Sequence, residues 1–253
     1  MSPAEGAPVA LITGAGSGIG RACALRFARD GHTVVLAARS ADRIDAVAAE
    51  IRGAGGRAET FPVDVADVSR SGELIDGVER EFGRLDVLVN AAGVMTVGPS
   101  LEVPIEQWQA MIDTNITGLI MLCRLAMPLL VKTAEHSARG VCDIVNISSL
   151  AGRSSKAHHN VYNATKWAVI GFSGALRQEF AGQRVRVSVI EPGLTATEIF
   201  SKQPPAARDY FAGITADKDI LGADDVAESI EFIVTRPRHV ALSEVVIHPA
   251  GQA

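Results

Sequence analysis

The apolar run Val9-Ala-Leu-Ile-Thr13 stops at Gly14-Ala-Gly-Ser-Gly-Ile-Gly20. A short apolar run closed by glycines reads as a strand buried on both faces, the pattern of a parallel sheet. From Arg21 to Asp30, Ala24, Leu25 and Ala28 recur at helical spacing, and Gly31 ends the pattern. Strand, glycine turn and helix in this order form the context that a phosphate-binding loop requires. Glycines let the backbone turn tightly and approach an anion. The following helix presents unpaired N–H groups and the positive end of its dipole. A plain tight turn would use the same residues, so the rest of the chain has to decide.

The same alternation continues. Strands are expected at Thr33–Ala38, Ala58–Val63, Leu85–Asn90, Val141–Ile147, Val185–Ile190 and Val245–His248. Helices are expected at Ala41–Arg52, from near Asp67 to Phe82, and over Trp108–Leu130, Asn160–Phe180 and Asp224–Thr235. Val131–Gly140 reads as a polar extension. Phe200–Leu221, with Pro204-Pro205, has no regular period and reads as a mobile substrate lid, spanning about residues 198–222. Alternating strands and helices predict an α/β fold: a single Rossmann-type, doubly wound domain over residues 1–253. Its seven-stranded parallel sheet would carry helices on both faces. No repeat or linker divides the chain.

Composition narrows the function classes. A net charge of −5 without a basic block argues against nucleic acid. Cys23, Cys123 and Cys142 are scattered, odd in number and without metal-ligand spacing, so buried reduced thiols and no metal are expected. The first residues lack the basic and apolar regions of a secretory signal. No run approaches the roughly 20 apolar residues of a membrane span. The expectation is a soluble, cytoplasmic protein with no membrane partner.

In open α/β sheets the chemistry sits at the carboxyl ends of the strands. After the second strand, the position where a carboxylate would hold a ribose 2′-OH is Ala38, followed by Arg39 with Arg43 nearby. A guanidinium without a carboxylate favours a 2′-phosphate, hence NADP(H); Arg39 as an ordinary surface residue opening the next helix is the alternative. Asp64-Val65 follows the third strand, where the carboxylate could accept from an adenine amino group or cap the next helix. Ala91-Ala92-Gly93 follows the fourth, small enough for a ligand to lie against backbone. Asn115 falls inside a helix, where asparagine is locally unfavourable, and could bend it or hold a water or a carbonyl. Ser148 and Ser149 end the fifth strand. Tyr162 and Lys166, four residues apart, share one face of a helix. A fixed ammonium beside a phenol favours the phenolate and lowers a pKa that is ordinarily about 10. The pair could therefore act as a tuned acid and base; alone, it could equally be a packed tyrosine and a solvated lysine.

Taken together, Thr13–Gly20, Asp64-Val65, Asn90-Ala-Ala-Gly93, Asn115, Ser148-Ser149, Tyr162-x-x-x-Lys166 and Pro192-Gly193 with Thr197 resemble the short-chain dehydrogenase/reductase family along nearly the whole chain. Val89 stands where the family usually has a first asparagine. The tail Val240–Pro249 is similar to an NADP-dependent branch of 3-hydroxy acid dehydrogenases and carbonyl reductases, with Ser243 and His248 in place of its usual Asn and Arg. The resemblance implies catalytic roles for Asn115, Ser149, Tyr162 and Lys166. Tyr162 would exchange the proton of the substrate oxygen and Ser149 would polarise that oxygen. Lys166 would lower the Tyr162 pKa and bond the nicotinamide ribose, and Asn115 would anchor a relay water. It also implies that Gly14, Ser17, Gly18, Ile19 and Gly20 hold the pyrophosphate, Asp64 and Val65 the adenine, and Asn90, Ala91 and Gly93 the ribose region. Pro192, Gly193, Thr195 and Thr197 would hold the carboxamide end.

Two function classes follow. One is an NADP(H)-dependent oxidoreductase acting on a carbonyl or secondary alcohol. The other is a non-catalytic dinucleotide-binding regulator or sensor on the same fold; the complete set Asn115, Ser149, Tyr162 and Lys166 favours the first. Lys156, His158 and His159, just before Tyr162, suggest a small polar substrate bearing a carboxylate, or else a solvated loop. The family resemblance implies a homotetramer, with a dimer as the smaller option, built on the Asn160–Phe180 helix and the last helix and strand.

Overall fold

The computed structural model describes residues 6–216 and 219–252; within the expected domain and lid, residues 1–5, 217–218 and 253 lie outside the described residues. The strands are β1 (Val9–Thr13), β2 (Thr33–Ala38), β3 (Arg57–Pro62), β4 (Val87–Asn90), β5 (Cys142–Ile147), β6 (Val185–Pro192) and β7 (Glu244–Ile247). They form one sheet in the order β3-β2-β1-β4-β5-β6-β7, with every pairing parallel. β1 lies between β2 and β4, with Thr13 opposite both Ala37 and Asn90. There the strand order reverses, and a crevice opens at the carboxyl ends.

The helices are α1 (Gly18–Arg29), α2 (Ala41–Gly53), α3 (Val68–Phe82), α4 (Ile105–Ile112), α5 (Leu119–His136), α6 (Asn160–Phe180), α7 (Glu198–Ser201), α8 (Pro205–Thr215) and α9 (Ala223–Val234). Alternate β1 residues enter opposite cores. Ala10 and Ile12 pack with Phe27 of α1, Val47 of α2 and Ile230 of α9. Val9 and Leu11 pack with Leu74 of α3, Leu122 of α5 and Val169 of α6. Helices thus cover both faces, as the near-continuous apolar strands require.

Several boundaries differ from the sequence expectation. α1 begins at Gly18, because the last glycines of the turn already belong to its first turn. α4 and α5 are joined by a π-helical segment, Asp113–Gly118, that contains Asn115. Val131–His136 stays helical because Thr133 and Ala134 are still buried, and Thr133 Oγ1 accepts from Leu85 N at 3.0 Å. The whole stretch Ile105–His136 has the length and apolarity of a membrane span, although no apolar run that long was expected. Its apolarity serves the core instead: Leu122, Ala126 and Leu130 are fully buried there. The segment read as irregular carries α7 and α8. Pro205 opens α8, where a missing N–H costs nothing. α9 starts after Gly222, whose N–H donates to Asp225 Oδ2 at 2.7 Å.

At the opposite edge, Arg186 of β6 bonds both oxygens of the buried Asp143 of β5, at 2.7 and 3.0 Å. It also donates to the carbonyls of Val234 and Val240 at 2.9 and 2.7 Å. This side chain joins two strands to the chain between α9 and β7. Removing it leaves a buried carboxylate short of a partner and strips several carbonyls. Arg186→Met is expected to lower the unfolding free energy by about 3 kcal/mol. Urea unfolding should show a lower midpoint at unchanged slope; an unchanged midpoint would contradict it.

Candidate active site

The carboxyl ends of the strands open onto a cleft of about 590 Å³. Its floor is the turn between β1 and α1. Gly14 has φ +65°, and a Cβ there would lie 2.9 Å from the Ala91 backbone; only glycine fits both conditions. Thr13 Oγ1 accepts from Ala91 N and Ala92 N, each at 3.0 Å, so the segment after β4 is tied to the turn. Gly14, Ser17, Gly18, Ile19 and Gly20 all line the cleft. Arg39, Asp64 and Val65 line one end of it, with the Arg39 guanidinium 3.9 Å from the Asp64 carboxylate. Ala91, Gly93, Pro192, Gly193, Thr195 and Thr197 line it as well, with Thr197 against Gly18 of the turn.

Ser149, Tyr162 and Lys166 meet in the same cleft. Ser149 follows β5 and caps a single 3₁₀ turn, Leu150–Gly152, through its hydroxyl. That turn is fixed by Asn163, which donates to the carbonyls of Ala151 and Ser154, and by Arg153, which forks onto the buried Glu191 with two bonds of 2.7 Å. Tyr162 is 8% exposed and packs against Met95, Met111 and Phe211. Lys166 is 6% exposed; its ammonium donates to Ile147 O at 2.9 Å and lies 5.7 Å from the Tyr162 ring centre. Ser148 also borders the cleft, but its hydroxyl donates to Lys166 O at 2.8 Å, whereas the Ser149 hydroxyl is hydrogen-bonded with Tyr162.

The electrostatics differ from the sequence expectation. Burial pushes the Tyr162 phenol up to about 12, and the Ser149 hydrogen bond offsets only part of this. Burial is the dominant effect on the phenol, although the Lys166 ammonium lies over its ring, 5.7 Å from the centre, and donates to the Ile147 carbonyl. Burial in turn pulls Lys166 down to about 8.

Other expected residues occupy places that the sequence reading did not assign. Asn90 does not line the cleft. Its amide is buried beneath the floor and donates to Asn146 Oδ1 at 2.8 Å and to Cys123 Sγ at 3.2 Å. Asn115 also lies behind the wall. It accepts from Val94 N at 2.9 Å, donates to Val94 O at 2.8 Å and donates to Thr165 Oγ1 at 3.2 Å. From within the π-helical segment its side chain holds a carbonyl, that of Val94. Asp64 does not cap α3; its carboxylate accepts from Ala66 N at 3.0 Å, and the cap is Asp67, which accepts from Arg70 N at 3.1 Å. Lys156 and His159 line the cleft, whereas His158 is outside its lining; its backbone has φ +69° and its carbonyl accepts from Gly98 N at 2.9 Å.

Three side chains that shape the cleft carried no sequence signal. Gln203 is buried between α7 and α8; it donates to Met95 O at 2.6 Å and accepts from Val97 N at 3.2 Å, tying the lid segment to the loop after β4. Glu198 bonds Arg43 at 2.5 Å and Lys202 at 3.3 Å, which holds its carboxyl below the usual range. Gln252 reaches Leu194, 58 positions away. Polar residues in irregular stretches have no periodicity that would mark them.

The buried ammonium makes stability depend on pH. Lys166 has a folded value of about 8 against an ordinary 10.5. Between these values the unfolded chain holds a proton that the folded chain has lost, so stability rises with pH, by up to about 3 kcal/mol. Tyr162 acts in the opposite sense, but only above its ordinary 10.0, where the unfolded phenol ionises first. Urea unfolding between about pH 8 and pH 10 should therefore show a rise in the wild-type protein that Lys166→Met flattens; equal slopes in the two proteins would contradict the assignment.

A sequence model of the family described as short chain dehydrogenase matches residues 8–207. A serine 3-dehydrogenase from Rhizobium radiobacter is 32% identical over 244 residues, covering 96% of this chain and 94% of its own. Among solved structures, the closed form of a serine dehydrogenase complexed with NADP⁺ is 31% identical with a TM-score of 0.88, covering 97% of this chain and 96% of its own. A 3-ketoacyl-ACP reductase from Sinorhizobium meliloti is 34% identical with a TM-score of 0.83, covering 95% and 97%. With a glycine turn at the β1/β4 reversal, and a serine, a tyrosine and a lysine gathered in the cleft above it, the chain belongs to the short-chain dehydrogenase family.

Proposed function

We propose that this protein is an NADP(H)-dependent oxidoreductase that interconverts a carbonyl and a secondary alcohol on a small, polar, acidic substrate of the hydroxy-acid type. The observation that carries the reading is the shared cleft: Ser149, Tyr162 and Lys166 line the same cavity as the glycine turn. The residues present fit a phosphorylated dinucleotide. Among the described residues, Arg39, Arg43, Lys156, Lys166 and Lys202 line the cleft against Asp64 and Glu198, although the chain as a whole carries −5. A cationic cleft in an acidic protein concentrates anions locally. Arg39 at the carboxyl end of β2, with no carboxylate in the preceding position, suits a 2′-phosphate.

In this reading Ser17, Gly18 and Ile19 hold the pyrophosphate, Asp64 and Val65 the adenine, and Thr195 and Thr197 the carboxamide. When bound, the cofactor supplies the hydride for reduction or accepts it in oxidation. Tyr162 gives its proton to the substrate oxygen in reduction and takes it back in oxidation. A phenol held neutral by burial is already in the donating form. Lys166, charged below about pH 8, favours the phenolate left behind. Ser149 Oγ donates to the same oxygen and polarises the carbonyl. Asn115 keeps the wall behind Lys166 in place and anchors a relay water. A Cβ on Gly93 would lie 3.5 Å from Asn115 Oδ1 and 3.9 Å from Lys166 Nζ, so its absence keeps that space open. The same reading takes the protein to be cytoplasmic and a homotetramer; the exposed Trp167 on α6 and Phe232 on α9 are apolar surface consistent with such an assembly.

The substrate class rests on the wall beside Tyr162. Lys156 supplies a cation and His159 a polar imidazole to the cleft, while Phe200, Tyr210 and Phe211 of the lid segment face it as an apolar roof. A relative acting on serine, itself a 3-hydroxy acid, supports an acidic substrate.

Tyr162→Phe should bind NADPH with wild-type affinity, followed by fluorescence titration, while turnover falls about 10³-fold. Wild-type turnover in this variant would leave a dinucleotide sensor as the better reading. Lys156→Ala should raise KM for acidic substrates about tenfold with little change in kcat, the mark of lost binding rather than lost chemistry; an unchanged KM across a panel of hydroxy acids would remove the carboxylate assignment.

A further inference from the structure

The segment after β6 has four backbone amides, at residues 193–196, and their partners differ. Gly193 N donates to Ile247 O of β7 at 2.8 Å. Ala196 N donates to Leu221 O at 2.7 Å, and Leu221 N returns a bond to Leu194 O at 3.0 Å. Leu194 N has no backbone acceptor in reach and donates instead to the side-chain Oε1 of Gln252, at 2.9 Å. Thr195 N has no acceptor among the described residues, while its hydroxyl donates to Gly193 O at 3.0 Å.

Gln252 is brought there by the turn that follows β7, in which its own N–H donates to Pro249 O at 2.9 Å. It lines the cleft beside Gly193, Leu194 and Thr195. The contact depends on Gly193: a Cβ there would stand 2.4 Å from Gln252 Oε1. The amide orientation is set by its partner, because a backbone N–H can only be met by the carbonyl oxygen of the side chain.

We propose that Gln252 is a positioning residue for the nicotinamide end of the cleft. By taking up the Leu194 N–H, it fixes the Gly193–Leu194 peptide, while Leu221 N holds the next one through Leu194 O; the two bonds together set the direction of the Thr195 N–H. The Thr195 N–H is then the one amide of this segment left for a ligand's carboxamide oxygen. The proposal rests on the NADP(H) reading above and adds a residue far from every motif that supports it. Gln252 touches no reacting atom; it acts through Leu194.

Isothermal titration separates the two ideas. The ligands are NADP⁺ and adenosine 2′,5′-bisphosphate, which lacks the nicotinamide end. The proteins are wild type, Gln252→Ala and Gln252→Glu. The Ala variant should bind NADP⁺ about five- to tenfold more weakly, as expected for one lost hydrogen bond, and bind the bisphosphate as wild type does. The Glu variant keeps an acceptor for Leu194 and should recover most of the NADP⁺ affinity. NADP⁺ binding unchanged in the Ala variant overturns the proposal while leaving the cofactor reading intact. So does equal weakening of both ligands, or a Glu variant no better than Ala. A wild-type protein that binds neither ligand overturns the cofactor reading, and the proposal with it.

Discussion

Parallel pairing aims every strand of this sheet the same way, and the consequences run through the whole molecule. The seven carboxyl ends lie along one edge, and the reversal at β1 and β4 splits that edge into a crevice. A crevice alone would collapse or fill with side chains. Here the chain meets it with Gly14, whose backbone φ of +65° and close approach to Ala91 exclude any Cβ, and with Thr13, whose hydroxyl gathers two amides from across the gap. The floor is thus backbone, held by one side chain. Backbone N–H groups at a helix start are the cheapest way to receive phosphate, because they are already unpaired and already aligned.

Burial governs the chemistry of the cleft. Lys166 and Tyr162 are shut away from water within α6, by the turn Leu150–Gly152 and by residues of α7 and α8. Desolvation works against both charged forms, raising the phenol and lowering the ammonium. Burial thus favours a neutral tyrosine and weakens the hold of the lysine on its proton. Charge brought in by a ligand shifts that balance far more in such surroundings than in water. Simple proximity of Tyr162 and Lys166 on one helix face would have suggested the opposite resting state. The Ile147 carbonyl, supplied by another strand, decides where the ammonium rests.

Much of the fold was readable because its causes are local. The five-residue apolar run, the glycines after it and the alternation of short apolar strands with helical periods come from nearest-neighbour physics. Tyr162 and Lys166 were found by spacing and Ser149 through the family resemblance, and all three line one cleft. Asn90 and Asn115 were found too, but their orientation was not: each turns its amide into the wall, toward Asn146 and toward Val94. α7 and α8 went unread because Pro204-Pro205 looks like a break, whereas a proline at the first helical position is tolerated.

By itself, then, the amino-acid order determined the α/β class, the parallel sheet, the glycine turn and the identity of the residues that gather in the cleft. Periodicity, turn chemistry and helical spacing act over a few residues and need no knowledge of what lies across the sheet. Tertiary structure alone decided which polar atoms face the cleft and which are spent on the frame. It buried Asn90, gave Asp64 to its own turn, set Gln203 under the lid segment and brought Gln252 to Leu194 from 58 positions away. The reason is that a buried polar group must find a partner, and in a doubly wound sheet that partner comes from whichever element the topology has laid alongside.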